Sequence, residues 1–350
     1  MSALTLVVVM LVSIGSGIAA VLITVAVSSF LQAHRDRLEP SLGDGRRSVV
    51  TALSGDGSKV DAALKSLRLF PERYITGVML DLAPSVTGTS RTILVSLAEE
   101  IGLLGRARAG VRSFRWSTRL YSARVFTALG IESDVLDTLV TDRSPEVRAQ
   151  AARWCVATPT PSAIQHLIEM LNDDDGRCRF AAQDALIRVG LPGSESLLRA
   201  LEASTGKETR QILQVAAAMG DDRFYAQASE RTTSPSADIR ALAVAVLART
   251  GNPHAGPTLV AMLDDESPEV VLAAAAGLAK VGFWRGAVAV EKLLGHESWD
   301  LRKQAGLTLL GLGAPGAVLL RSTAPGDGPA AEMALQALQL QFLSIEAEAA

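Results

Sequence analysis

Two patterns of apolar spacing divide the chain. From Met1 to Gln32 no side chain is charged, and Leu4 to Leu31 is almost continuously apolar. Such a run makes a helix of roughly 42 Å at about 1.5 Å per residue. About 20 residues suffice to cross a hydrocarbon core, so slack remains for tilt. The run is too long for a cleaved signal peptide, and no Lys or Arg precedes it. The pattern predicts a single transmembrane anchor over 1–31.

The second pattern is periodic. Arg91, Arg119, Arg148, Arg179, Arg210, Arg240, Val271 and Arg302 are spaced 28, 29, 31, 31, 30, 31 and 31 residues apart. Three and seven positions after each anchor the residues are mostly small or apolar, as at Ala151 and Cys155 or Ala274 and Leu278. That spacing puts them on one helix face, which must be buried. Eleven positions on comes glycine at Gly102, Gly130, Gly190, Gly251, Gly282 and Gly313. Glycine there accepts the left-handed conformation that closes a helix. Pro159 replaces it in one unit, and Gly220 arrives one residue early in another. Ser144-Pro145 and Ser267-Pro268 supply a capping serine followed by proline at the first helical position. A second apolar segment follows each closure, for example Ala163 to Leu171 and Ala287 to Leu294.

Each unit is therefore helix, turn, helix, turn, and must stack on its neighbours to bury its face. The expected architecture is all-α: a solenoid of about eight helix pairs preceded by a transmembrane helix. Its parts are an anchor (1–31), a turn-rich juxtamembrane linker with a short helical stretch (32–57), an N-terminal capping helix pair (58–88), the repeat array (89–325) and a C-terminal capping helix and tail (326–350).

The Pro-Glu-Val-Arg entry, the Ala-rich helix and the closing glycine resemble HEAT repeats, in particular the short type named after phycobilisome lyases. The resemblance covers about two thirds of the chain. It implies that the recurrent arginine forms a structural ladder with aspartates of neighbouring repeats, a role falling to Arg148, Arg179, Arg210, Arg240 and Arg302. Val271 breaks the series.

Composition agrees with this reading. Apolar residues make up 48% but aromatics only 4%, so the apolar mass is Ala, Leu and Val. That bias favours close-packed helices over a β-sandwich. Net charge is −3, but residues 31–130 hold 15 basic and 9 acidic side chains, and residues 131–350 hold 19 and 28. Arg35, Arg37, Arg46 and Arg47 follow the apolar run, which by the positive-inside rule places the solenoid in the cytoplasm and the N-terminus outside. The expected location is the cell membrane, single-pass. Within the span, Ser13/Gly17, Gly15/Ala19 and Ser16/Ala20 are small-xxx-small pairs that allow a homodimer through this helix.

No catalytic constellation, metal set or cofactor motif emerges, and the chain reads as a non-enzyme with no cofactor. Cys155 and Cys178 lack metal-ligand spacing. Asp173-Asp174-Asp175 and Asp264-Asp265-Glu266 precede helices, where carboxylates cap and complement the dipole. His34, His166, His254 and His296 fall in different units.

One segment exceeds background. Arg106, Arg108, Arg112, Arg115, Arg119 and Arg124 are interleaved with Phe114, Trp116 and Tyr121, and no acidic residue lies between Glu100 and Glu132. If helical throughout, Arg108, Arg112, Arg115 and Arg119 share one stripe. Such a stripe fits an acidic patch on a protein partner or anionic lipid head groups. A membrane tether and an acidic body argue against nucleic acid. On the alternative that the stripe merely faces solvent, Trp116 packs into the core.

The function these features imply is a membrane-anchored scaffold or adaptor. Its solenoid recruits or regulates a membrane-associated partner, with an enzyme of envelope or polysaccharide assembly as one candidate. The family resemblance adds an alternative: a bilin-lyase-like subunit, or a non-catalytic subunit completing a partner enzyme.

Overall fold

A computed structural model describes residues 46–53, 65, 70, 72–252 and 254–349. The anchor at 1–31 and most of the linker lie outside them, as does most of the first capping helix. Among the described residues no helix is long and apolar enough to cross a membrane. The chain divides into two units, Met1–Arg112 and Ser113–Ala350.

In the first unit, residues 46–53 are helical, with Val49 and Ala52 buried. The helix α1 (Glu72–Leu82) corresponds to the second half of the expected capping pair. It passes through a 3-10 turn, Ala83–Ser85, into α2 (Gly88–Glu100), which carries Arg91. Gly102 then admits the positive φ that separates α2 from α3 (Leu103–Gly110). Ser90 Oγ donates to Leu53 O at 3.0 Å, tying α2 to the 46–53 helix.

The second unit is the repeat array. Its long, anchored helices are α4 (Trp116–Leu129), α6 (Pro145–Ala157), α8 (Gly176–Val189), α10 (Gly206–Met219), α12 (Ala237–Arg249), α14 (Pro268–Val281) and α16 (Trp299–Gly311). Between them come α5 (Leu136–Val140), α7 (Pro161–Met170), α9 (Leu191–Ala203), α11 (Tyr225–Arg231), α13 (Ala255–Ala261), α15 (Ala287–Glu291) and α17 (Ala314–Thr323). The final helix is α18 (Pro329–Ala349). The long helices stack in a row, each on the next, with one sparse joint between α8 and α10.

The buried set follows the expected register. Ala151 and Cys155, Ala182 and Leu186, Ala243 and Leu247, Ala274 and Leu278, and Ala305 and Leu309 are all fully buried. The second helices contribute Leu139, Leu167, Leu197, Leu259, Val290 and Leu320 to the same core. Small residues let the two rows approach closely. At Gly316 a Cβ would lie 1.9 Å from Leu309 O, so α17 can dock on α16 only with glycine there.

Two local expectations change. Ser144 and Ser267 precede their helices but do not cap them through the hydroxyl. Their hydroxyls donate instead to Glu146 (2.8 Å) and Glu269 (2.6 Å). In α10 the register shifts by one. Thr209, Ile212, Leu213 and Ala216 are buried, and the helix closes at Gly220 with φ +66°. Thr209 therefore holds the anchor position, and Arg210 faces solvent. A side chain at Gly220 would also meet Arg249 O at 3.0 Å.

Candidate partner-binding surface

The anchored arginines act first within the loops that join repeats. Arg119 Nη2 and Nε donate to the Asp142 carboxylate, and Nη1 donates to Ser113 O at 2.9 Å and Phe114 O at 3.1 Å. Arg148 repeats this on Asp173 with two bonds of 2.7 Å, and on Asp142 O at 2.7 Å. Arg240 does so on Asp265 with two bonds of 2.8 Å, and on Ser234 O at 3.0 Å. Each aspartate also accepts the backbone N–H two residues on, at Ser144, Asp175 and Ser267. One carboxylate thus shapes its own loop while holding the preceding repeat. These planar two-bond pairs explain the choice of arginine over lysine.

Burial pushes the Asp142 and Asp173 carboxyls up, but the hydrogen bonds from arginine and backbone N–H outweigh it and hold both below the ordinary value. At Asp265 the Arg240 hydrogen bond dominates and the result is again a lowered value.

The ladder is discontinuous. Arg179 and Arg302 make only the loop half, donating to Asp173 and Asp174 carbonyls and to His296 and Glu297 carbonyls. Arg210 lies outside the ladder and forms an exposed ion pair with Asp238 at 2.7 Å. Arg119, grouped by sequence with the basic segment, is a buried ladder member. Where the anchor is not arginine, the acceptor is not aspartate: Thr209 precedes Ser234, and Val271 precedes His296. Losing both partners together avoids a buried unpaired charge.

The basic segment is not one helix. α3 ends at Gly110 and α4 begins at Trp116, so Arg108, Arg112, Arg115 and Arg119 do not form a stripe. Arg106, Arg108 and Arg112 belong to the first unit; Arg115, Trp116, Arg119 and Arg124 belong to the second. Trp116 is 51% exposed rather than packed in the core, and Phe114 is 81% exposed with the Arg115 guanidinium 5.5 Å from its ring centroid.

In the second unit a trough of about 520 Å³ crosses α4, α6 and α8. Its floor holds Leu120, Ala149 and Ala181, and its rim holds Arg124, Arg153 and Phe180. Phe180 is 70% exposed. A neighbouring depression of about 530 Å³ is bordered by Phe114, Trp116, Arg143 and Glu146. Arg177 is neutralised by Glu146 and Asp175, each at 2.9 Å. Sequence reasoning missed Arg153, Phe180 and Arg143. The signal lay in the register: Arg124 and Arg153 both stand five positions after their anchors, and Leu120, Ala149 and Phe180 one position after.

Other clusters have structural accounts. His166 Nε2 faces Asp137 (2.9 Å) and Ser162 (3.5 Å), and its Nδ1 lies 3.6 Å from Glu169. Cys155 is fully buried, and burial raises its thiol pKa to about 12. Among the described residues no cluster has the makings of a metal site.

Stacked helix pairs joined by arginine–aspartate loops define an α-solenoid. The family model for HEAT repeats matches residues 132–220 and 226–311, half of the chain, and the protein belongs to the HEAT-repeat family. No curated protein sequence matches it. Among solved structures, an engineered protein is similar at 18% identity, over 86% of this chain and 95% of that one, with a TM-score of 0.38. The CpcE–CpcF complex of phycocyanin lyase from a Nostoc species is similar at 20% identity, over 67% and 93%, with a TM-score of 0.32. Yeast importin-beta is similar at 10% identity, over 79% and 45%, with a TM-score of 0.47.

Proposed function

We propose that the protein is a non-catalytic adaptor. Its HEAT-repeat array binds a protein partner, and the apolar run at 4–31 anchors it in the cell membrane with the array on the cytoplasmic side. The observation that carries the binding half is the surface at the start of the second unit. There, Phe114, Trp116 and Phe180 are exposed beside Arg115, Arg124, Arg143 and Arg153. Aromatic and arginine side chains are the types that dominate partner interfaces. The anchoring half rests on the length and apolarity of 4–31 and on the arginines that follow it. A tethered array meets a membrane-associated partner at raised local concentration, so even a modest interface suffices. The arginines of this segment also suit anionic head groups, and the small-residue pairs of the span suit self-association.

Purification of the full chain in mild detergent tests the reading. A stoichiometric membrane-associated partner is expected. A preparation that carries a bound chromophore, or transfers one, would overturn it in favour of a lyase-like role.

A further inference from the structure

The trough across α4, α6 and α8 has an uneven charge. Arg124 and Arg153 are exposed and have no acidic partner among the described residues, whereas Arg177 is paired with Glu146 and Asp175, and Asp184 lies 3.6 Å from Arg188. Two adjacent helices therefore present one free guanidinium each, at the same register position. At that position the third helix carries Asp184, and one turn before it the exposed ring of Phe180. The floor between them is lowered by Ala149, Gly176 and Ala181.

Packed helices lie about 8–10 Å apart. A polyproline II chain rises about 3.1 Å per residue and turns once every three, so side chains three apart face the same way and span one helix spacing. The repeat thus sets a spacing that such a segment matches. The Asp184 carboxylate disfavours a third acidic residue on the last helix and leaves the Phe180 ring to meet an apolar one.

We propose that this trough binds an acidic segment of the partner in the polyproline II conformation, with carboxylates three residues apart on Arg124 and Arg153 and an apolar side chain three residues further on against Phe180. This rests on the partner-binding reading above and adds the chemistry of the occupant.

The test uses the full chain in nanodiscs of neutral phosphatidylcholine. The probe is a fluorescein-labelled nonapeptide of Pro and Ser with Glu at its second and fifth positions and Leu at its eighth, followed by anisotropy. Saturable binding is expected, about tenfold or more weaker for the Arg124→Gln/Arg153→Gln double variant with an unchanged thermal melt. A Phe180→Ser variant, and the same peptide with Gln for Glu, should each bind several-fold or more weakly. Equal binding of the Gln peptide, no binding of either peptide, or indifference to the double substitution each overturns the proposal. Vesicles containing phosphatidylglycerol are titrated in parallel. If they alone depend on Arg124 and Arg153, the surface is a lipid site and the peptide assignment falls. A co-purified partner that survives the double substitution leaves the adaptor reading standing and removes only this trough from it.

Discussion

Two joints of the same array are built from opposite materials. Where α6 meets α4, Trp154 stacks on Phe126 with ring centroids 4.8 Å apart, and its Nε1 donates to Ile131 O at 2.9 Å. Arg119 and Asp142 close the same joint in the loops, and Arg148 and Asp173 close the next one. Where α10 meets α8 the packing is sparse. Gln183 reaches Gln211 (2.9 Å) and Gln214 (3.3 Å) at the surface, and Ser204 and Thr209 share a 2.9 Å hydrogen bond in the loop. Both joints satisfy their polar groups, but only the first combines a large apolar interface with directional charge. In a linear array each interface stabilises mainly its own neighbours, so these joints should respond separately.

The largest expected effect is at the aromatic contact. Trp154 is fully buried, and Trp154→Ala removes the stack, the apolar area and a hydrogen bond together. A loss of about 3–5 kcal/mol is expected in the unfolding transition that includes α4 and α6. Denaturant unfolding monitored by local probes on α6 and α12 checks it. An equal shift of both probes would show that the array unfolds as one cooperative body and would remove the distinction between joints.

Next comes the charged loop. Asp142→Ala leaves Arg119 buried without its carboxylate and also removes the acceptor for Ser144 N–H. The expected cost is about 3 kcal/mol. The double substitution Arg119→Met/Asp142→Leu should cost clearly less than Asp142→Ala alone, because no buried charge is stranded. A double variant as unstable as the single one would mean that the pair itself, rather than the avoidance of a lone charge, holds the loop.

Acid should then separate the joints by charge. Asp142, Asp173 and Asp265 have carboxyl values lowered in the folded state. Their contribution is therefore present above the unfolded aspartate value of about 3.9 and is lost as pH falls through the lowered folded values. Hydrogen exchange compared at about pH 5 and about pH 3, after correction for intrinsic rates, should show protection falling in α6, α8 and α14. Protection at the start of α10 should change least, since Ser204 and Thr209 join it to the preceding loop through hydroxyls alone.

How far the sequence foretold this depends on what the period constrains. The long helices, their buried positions and their closing glycines follow from spacing, because burial of one face leaves no other register. The shift at α10 is also written there, in the early Gly220, but Arg210 continues the arginine series where Thr209 does not. The basic segment misled for a similar reason. Charge density suggested one helix across 106–124, while the period already placed a loop six residues before Arg119, where Ser113 Oγ accepts the N–H of Arg115 at 3.2 Å. The pairing of Arg119 with Asp142 depends on three-dimensional closure of two loops. The trough depends on small residues in three helices at once. Neither is a local pattern, so neither was apparent along the chain.

The smallest effect is the most direct test of why the α8–α10 joint differs. Arg148 meets Asp173 and Arg240 meets Asp265, each 25 positions on; the residue 25 positions after Arg179 is Ser204. Ser204→Asp restores the missing acceptor while Arg179 already holds its loop carbonyls. A gain of about 0.5–1 kcal/mol is expected, because the pair is less enclosed than Arg119–Asp142 and the Thr209 partner is perturbed. The gain should be present near neutral pH and decline as pH falls below about 3.9 through the lowered folded value of the paired aspartate. Unfolding of the variant and the parent at pH 7 and pH 3 measures both. If the substitution stabilises, the joint is weak because it lacks charge. If stability falls at both pH values, the sparse packing holds the loops too far apart for any rung, and geometry rather than chemistry sets the joint apart.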